Sequence, residues 1–320
     1  MTVEELINFK EQYIRKLESE KKSSLTINSY SHNLDRMIKY IDKKYTSDFN
    51  VKIALLDYID NIDVEYKATT INTYRAPVRG FISFMQSRNY ISEDFGGNIG
   101  VLKEDKPPKE ILEPKEIERI LNILSSELKE AEGYTIFFKA RNLALFTFLL
   151  NTGVRRAEVV KVKWPDIDFI KNEVKVIGKG NKTRIVPLRP DLKQQLYMYR
   201  DIIEQLDNAG YNVKSEYLFR SEMRNKLTKV KDKPMTPRNV ATIIKDLREK
   251  ADIQKKISPH NVRHSFASYG IKNKVSDISM ADTLGHSNIS TYHNIYAHEI
   301  SMEEKKKEIG KIRFDIDRDE

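Results

Sequence analysis

Five of the six histidines of this 320-residue chain lie between His260 and His298. Histidine crowded in that way is a metal site, an active site or an accident of sampling. His260 and His264 stand four apart in "SPHNVRHSFAS", the spacing of the H-E-x-x-H zinc motif. The second motif position is Asn261, so the general base is missing, and no nearby acid completes a zinc site. No metal is expected. A phosphate site suits the segment better. Ser258 as N-cap and Pro259 at the first helical position start a helix, which puts His260 and Arg263 on one face of it. A proton-transfer group then sits beside a guanidinium fork near the positive end of the helix dipole.

Two further cations stand where a turn would present them. "NTGVRRAEVV" places Arg155 just past an apolar helix and Gly153, although Glu158, three residues on, could hold it in an ordinary ion pair. Arg156 beside it could compete for its partners. "IGKGNKTRIVPL" sets Lys179 between two glycines at a hairpin tip, and the glycines would let that tip reach a bound partner. The densest stretch, "LGHSNISTYHNIYAH", carries His286, His293 and His298 with Tyr292 and Tyr296. A tyrosine can act as a nucleophile only beside a base, because its ordinary pKa is about 10.

Composition narrows the partner. The formal charge is +9 with pI near 9.2, which points to an acidic partner, most economically nucleic acid. Residues 1–105 hold 15 Lys and Arg against 16 Asp and Glu, so the excess lies downstream. Within the neutral part, residues 66–92 contain Lys67, Arg75, Arg79 and Arg88 and no acid. These four are candidate phosphate contacts. Lys182 and Arg184 in the hairpin and Arg238 in "TPRNVATIIKDLREKA" complete the DNA-contacting set. The chain has no cysteine, which excludes disulfides and cysteine-ligated zinc and fits a reducing cytoplasm. No apolar run is long enough for a membrane span and no secretion signal is visible, so the expectation is a cytoplasmic protein with no membrane partner.

The elements that must hold these residues read as mainly α with a small antiparallel β-sheet. "TVEELINFKEQYIRKLESE" has Leu6, Phe9, Tyr13 and Leu17 at helical spacing, with Thr2 and Glu5 as a capping box. Further helices run through "SLTINSYSHNLDRMIKYIDKKY", roughly 53–62, and "TTINTYRAPVRGFISFMQSRN". The glycines, charges and Pro107-Pro108 of "GGNIGVLKEDKPPKEIL" break the pattern and read as an exposed linker. This gives an all-helical domain over 1–102, a linker over 103–112 and a second domain over 113–320. There, "DIDFIKNEVKVIGKGNKTRIVPL" alternates as short strands and predicts an antiparallel sheet, while helices fill the remainder.

In order, "TGVRRAE", "VIGKGNKTRIVPL", "SPHNVRHSFAS" and "LGHSNISTYHNIYAH" resemble the motifs of the tyrosine recombinases, the integrase, Xer and Cre group, over about Glu113 to Ala297. The resemblance implies an α+β catalytic domain of that type behind a helical core-binding domain that clamps DNA. It assigns Arg155 and Arg263 to the phosphate, Lys179 to the hairpin lysine position, His260 to the H-x-x-R pair, His286 to the last histidine and Tyr296 to the nucleophile. Tyr292 lies too early for that pattern. The implied function is site-specific recombination through a 3′-phosphotyrosine, with no metal, ATP or other cofactor. The implied partners are double-stranded DNA, further copies of the chain (a dimer on one site, a tetramer in synapsis) and accessory DNA-bending or directionality proteins. A DNA-binding regulator or repressor that kept the fold and lost turnover is the alternative.

Overall fold

The structure is a computed structural model that describes residues 1–45, 48–104, 110–221 and 232–285. The chain divides into two compact units, Met1–Pro107 and Pro108–Glu320.

The regular elements of the first unit, among its described residues, are the helices α1 (Val3–Ser19), α2 (Ser24–Lys44), α3 (Val51–Glu65) and α4 (Ala68–Ser87), followed by a 3-10 turn at Gly96–Asn98. Each of the first three starts at a side chain that satisfies a free backbone N–H. Thr2 and Glu5 form a reciprocal capping box, Ser23 accepts from Thr26 N at 3.2 Å, and Asn50 accepts from Ile53 N at 3.2 Å. The spacing of apolar residues then decides which face turns inward. Leu6, Tyr13 and Leu17 of α1 are buried with Leu34, Ile38 and Ile41 of α2, while Phe9 stacks on Tyr90 at 3.9 Å between ring centroids. Asn72 of α4 clasps the segment that follows, its amide donating to Leu102 O at 2.9 Å and to Glu104 at 3.0 Å.

In the second unit the order is α5 (Pro114–Lys129), α6 (Thr135–Thr152), α7 (Arg156–Val159), β1 (Ile167–Asp168), β2 (Glu173–Ile177), β3 (Thr183–Pro187), α8 (Pro190–Asn208), α9 (Pro237–Lys250), α10 (Pro259–Lys272) and α11 (Asp277–Leu284). The strands form an antiparallel sheet in the order β1-β2-β3. α6 is apolar around most of its circumference, with Phe137, Leu145, Phe146, Phe148 and Leu149 buried. Such a helix must lie inside, and the unit's core is built round it.

The stretch expected as an exposed linker over 103–112 is not exposed at its far end. Leu112 is fully buried, its N–H donating to Ser265 Oγ at 2.8 Å and its carbonyl accepting from Tyr269 Oη at 3.1 Å. Glu110 accepts from Lys256 N at 2.9 Å through its carboxylate and from Asn261 Nδ2 at 2.8 Å through its carbonyl. Residues 110–112 are thus stitched along α10. Composition marked the break in the helical pattern but could not reveal partners more than a hundred residues away.

Candidate active site

Gly153 ends α6 in the left-handed region at φ 59°, as a C-terminal glycine does at least strain. The turn delivers Arg155 to the N-cap of α7. Glu158, in the first turn of α7, closes a box with it. The carboxylate accepts from Arg155 N at 2.9 Å and from Arg155 Nη1 at 2.8 Å. Glu158 is therefore the ion-pair partner anticipated from its i+3 spacing, and it leaves the Arg155 side chain 42% exposed. Arg156 is exposed, and Glu158 is taken by Arg155 and Arg184 instead.

Arg263 reaches the same place from α10. It is 3% exposed and donates from Nη1 to Gly153 O at 2.8 Å and from Nη2 to Leu284 O at 2.7 Å. Arg155 Nη1 lies 3.5 Å from that Leu284 carbonyl, and its Nη2 lies 3.4 Å from Gly285 O. Two guanidiniums 108 positions apart thus meet at the C-terminal end of α11, where Gly285 caps the helix at φ 66°. The next residue in the chain is His286. Two adjacent cations held by backbone carbonyls have the charge and fixed geometry that suit an anion such as the non-bridging oxygens of a phosphodiester.

The β2–β3 hairpin supplies a third side to this arrangement. Gly178 N donates to Lys182 O at 2.8 Å to close its loop. Inside the loop Lys179–Asn181 make one 3-10 turn, with Gly180 at φ 71° and Asn181 at φ 61°. Lys179 is therefore carried by the hairpin turn as expected from its flanking glycines. Arg184 does not extend from the hairpin toward solvent. Its side chain is 10% exposed, Nη2 donating to Glu158 Oε2 at 2.7 Å and Nε to Thr283 O at 2.8 Å. Arg184 is accordingly removed from the surface DNA-contacting set.

Glu158 is 3% exposed. Burial pushes its carboxyl pKa up, but hydrogen bonds from Arg184 and Arg155 outweigh that, and the net shift is below the usual value of 4.5. It stays ionised as the anion between two guanidiniums. The Gly153 turn is equally constrained, since a Cβ there would strike the Phe266 ring and come within 2.9 Å of Leu284 Cδ2. Gly153→Ala is expected to combine left-handed strain of about 1–2 kcal/mol with overpacking of about 1–3 kcal/mol. A loss of about 2–5 kcal/mol in urea unfolding checks it.

His260 is exposed in the first turn of α10, and its ring meets that of the buried His264 edge to face at 4.2 Å between centroids. His286 and Tyr296, together with Tyr292, His293 and His298, lie outside the described residues. Of the other basic residues, Lys67, Arg88, Lys182 and Arg238 are exposed, and Arg88 lies 5.9 Å over the Phe84 ring. Arg79 is half-buried and donates to Ile99 O at 3.2 Å. Arg75 is corrected. It is 7% exposed, donates to Gly100 O at 2.7 Å and forms an ion pair with Asp63. An acid-free run along the sequence did not disclose an acid twelve residues upstream on the preceding helix. The reading from sequence missed the carbonyls of Thr283, Leu284 and Gly285 as ligands of the arginines. The glycine after Leu284 was the available signal, because it marks a helix end whose carbonyls need donors.

The phage integrase family model matches residues 110–302 of this chain, and the model for the phage integrase N-terminal SAM-like domain matches residues 11–89. The tyrosine recombinase XerD of Staphylococcus haemolyticus strain JCSC1435 is 29% identical over 299 residues, which cover 90% of this chain and 92% of the relative. The tyrosine recombinase XerD of Oceanobacillus iheyensis is 29% identical over 282 residues, covering 86% of this chain and 88% of the relative. Among solved structures, the XerH site-specific recombinase bound to palindromic difH substrate, a post-cleavage complex, has TM-score 0.69 at 21% identity, covering 90% of this chain and 80% of that one. The Tn1549 transposon integrase in complex with transposon right end DNA has TM-score 0.65 at 17% identity, covering 98% and 99%.

Proposed function

The chain belongs to the phage integrase family, the tyrosine recombinases, and on that premise we propose that it cuts and rejoins double-stranded DNA at specific sites through a 3′-phosphotyrosine. The observation that carries the reading is the meeting of Arg155 and Arg263 at the Leu284 carbonyl, directly before His286 in the chain. Arg155 and Arg263 hold the non-bridging oxygens of the scissile phosphate and stabilise the charge that develops on them. Tyr296 attacks phosphorus, its proton passing to His260 as general base. The bond from phosphorus to the 5′-oxygen breaks as the tyrosyl bond forms. Lys179, on the hairpin turn, gives the 5′-oxygen its proton. His286 hydrogen-bonds or buttresses the phosphate. The phosphotyrosine conserves the energy of the broken bond, so a 5′-hydroxyl can reverse the step without ATP or metal.

In this reading the first unit and the exposed cations Lys67, Arg88, Lys182 and Arg238 hold the duplex through its phosphates. Arg79 contributes through what remains of its exposed surface. A dimer occupies one site and a tetramer forms the synapse, with accessory DNA-bending or directionality proteins assisting. The experiment selects the DNA bound by the protein, incubates the two, and looks for an SDS-resistant adduct. Wild type is expected to give the adduct, and Tyr296→Phe to bind the same DNA without forming it. Specific binding by wild type with no adduct on nicked substrate would instead describe a DNA-binding regulator.

A further inference from the structure

We propose that Arg184 is a positioning residue that ties the hairpin carrying Lys179 to Arg155 and to the end of α11. The inference rests on the reading that Arg155 and Lys179 act on a phosphodiester. Arg184 pairs with Val176 across the β2–β3 ladder, and its strand neighbour two residues on, Val186, is buried. Period-two alternation therefore sends Arg184 toward the interior face of the sheet. A surface contact for DNA would belong to the other face, with Thr183 and Ile185, both exposed.

The guanidinium then engages two elements besides its own. Nη2 donates to Glu158 Oε2 at 2.7 Å, and Glu158 in turn holds the side chain and backbone N–H of Arg155. Nε donates to Thr283 O at 2.8 Å, in the last turn of α11. Two glycines leave room for it. A Cβ on Gly285 would come within 3.0 Å of Arg184 Nη1, and one on Gly178 within 3.4 Å of the same atom. Lys179 follows the first glycine along the chain, and His286 follows the other. One planar fork thus lies against both backbone points from which those residues continue, and it bonds the carboxylate that orients Arg155.

A lysine would keep the charge at this position. It would offer a point ammonium in place of a fork that reaches a carbonyl and a carboxylate in different directions. If the role were only to neutralise Glu158, lysine would serve. If the role is to set the hairpin against Arg155, lysine would not. The readout that separates these uses a substrate whose leaving 5′-oxygen is replaced by sulfur. A thiol ionises near pKa 8.5 and leaves without a general acid, so defects in the placement of Lys179 disappear on that substrate.

Single-turnover adduct formation is therefore compared on oxygen and sulfur substrates for wild type, Arg184→Lys and Lys179→Ala, with DNA affinity measured in parallel. Arg184→Lys is expected to slow adduct formation about a hundredfold on the oxygen substrate, the lower end of a general acid's contribution. On the sulfur substrate the greater part of that loss is recovered, as in Lys179→Ala, and DNA affinity is unchanged. An equal loss on both substrates overturns the proposal. Amide hydrogen exchange gives a second reading that needs no turnover. The variant is expected to exchange faster in 178–182 and 283–285 and nowhere else in its unit, whereas unchanged or uniformly faster exchange overturns the proposal. Should wild type itself give no adduct, the recombinase reading fails and the exchange experiment alone decides the role of Arg184.

Discussion

In the Arg263→Ala variant the rate of covalent protein–DNA adduct formation is expected to fall by at least about a hundredfold. Removing one preorganised donor to a developing oxyanion costs about a hundred- to a thousandfold in comparable sites. From a more buried position than Arg155, Arg263 also does structural work. It is 3% exposed and satisfies the carbonyls of Gly153 and Leu284. Alanine leaves the Gly153 carbonyl without that donor, at about 1–3 kcal/mol where water cannot enter, and leaves the Leu284 carbonyl only Arg155 Nη1 at 3.5 Å, at about 1 kcal/mol. The catalytic unit is therefore expected to lose about 2–4 kcal/mol in urea unfolding as well. Adduct formation measured well below the melting transition, with DNA binding retained, separates the two effects. Arg263→Lys should recover little of either, because a single ammonium cannot span two carbonyls and a phosphate. An Arg263→Ala protein that still forms adduct near the wild-type rate would remove this residue from the proposed phosphate site.

Glu158→Gln is the second large effect, and it acts through charge. Glu158 is the anion shared by Arg155 and Arg184. Its neutral isostere leaves two guanidiniums facing one another, one with its side chain only 10% exposed. Breaking a buried pair in this way costs about 3–5 kcal/mol. The 42% exposure of the Arg155 side chain admits solvent screening, and about 2–3 kcal/mol is expected in denaturant unfolding. Adduct formation should fall with it, since Arg155 loses the carboxylate that orients it.

The same residue makes wild-type stability depend on acid pH. Its carboxyl is held below the usual value of 4.5 in the folded state, where burial raises it and the hydrogen bonds of Arg184 and Arg155 lower it further. A depressed folded pKa contributes stability that is fully present above the unfolded value and is lost as pH falls through the folded one. Wild type should therefore lose stability progressively below pH 4.5. The Glu158→Gln variant, lacking the group, should lose less over that window. Parallel stability–pH curves for the two proteins would refute the assignment of the acid-labile component to Glu158.

Much of this molecule was legible one residue at a time. Capping by Thr2, Ser258 and Pro259, the stop at Gly153 and the alternation of β2 and β3 are local events, decided by backbone donors and side chains within a few positions. The same locality put Arg263 on a helix with His260, Lys179 on a hairpin turn and Glu158 within reach of Arg155. The order of the motifs carried the family. What could not be read locally was which cations face water. Arg75, Arg184 and Lys67 are all cations, and nearness of an acid in sequence does not distinguish them, since only Lys67 has one within a few positions, Glu65. Arg75 is spent on Asp63 and Arg184 on Glu158, while Lys67 stays exposed. Those partners come from other helices, brought near only when the apolar faces are buried. Burial of a charge is tolerated only beside an opposite charge or a free carbonyl. Packing thus decided that Arg155, Arg263 and Arg184 share the end of α11, through acceptors that a helix terminus leaves open at Thr283, Leu284 and Gly285.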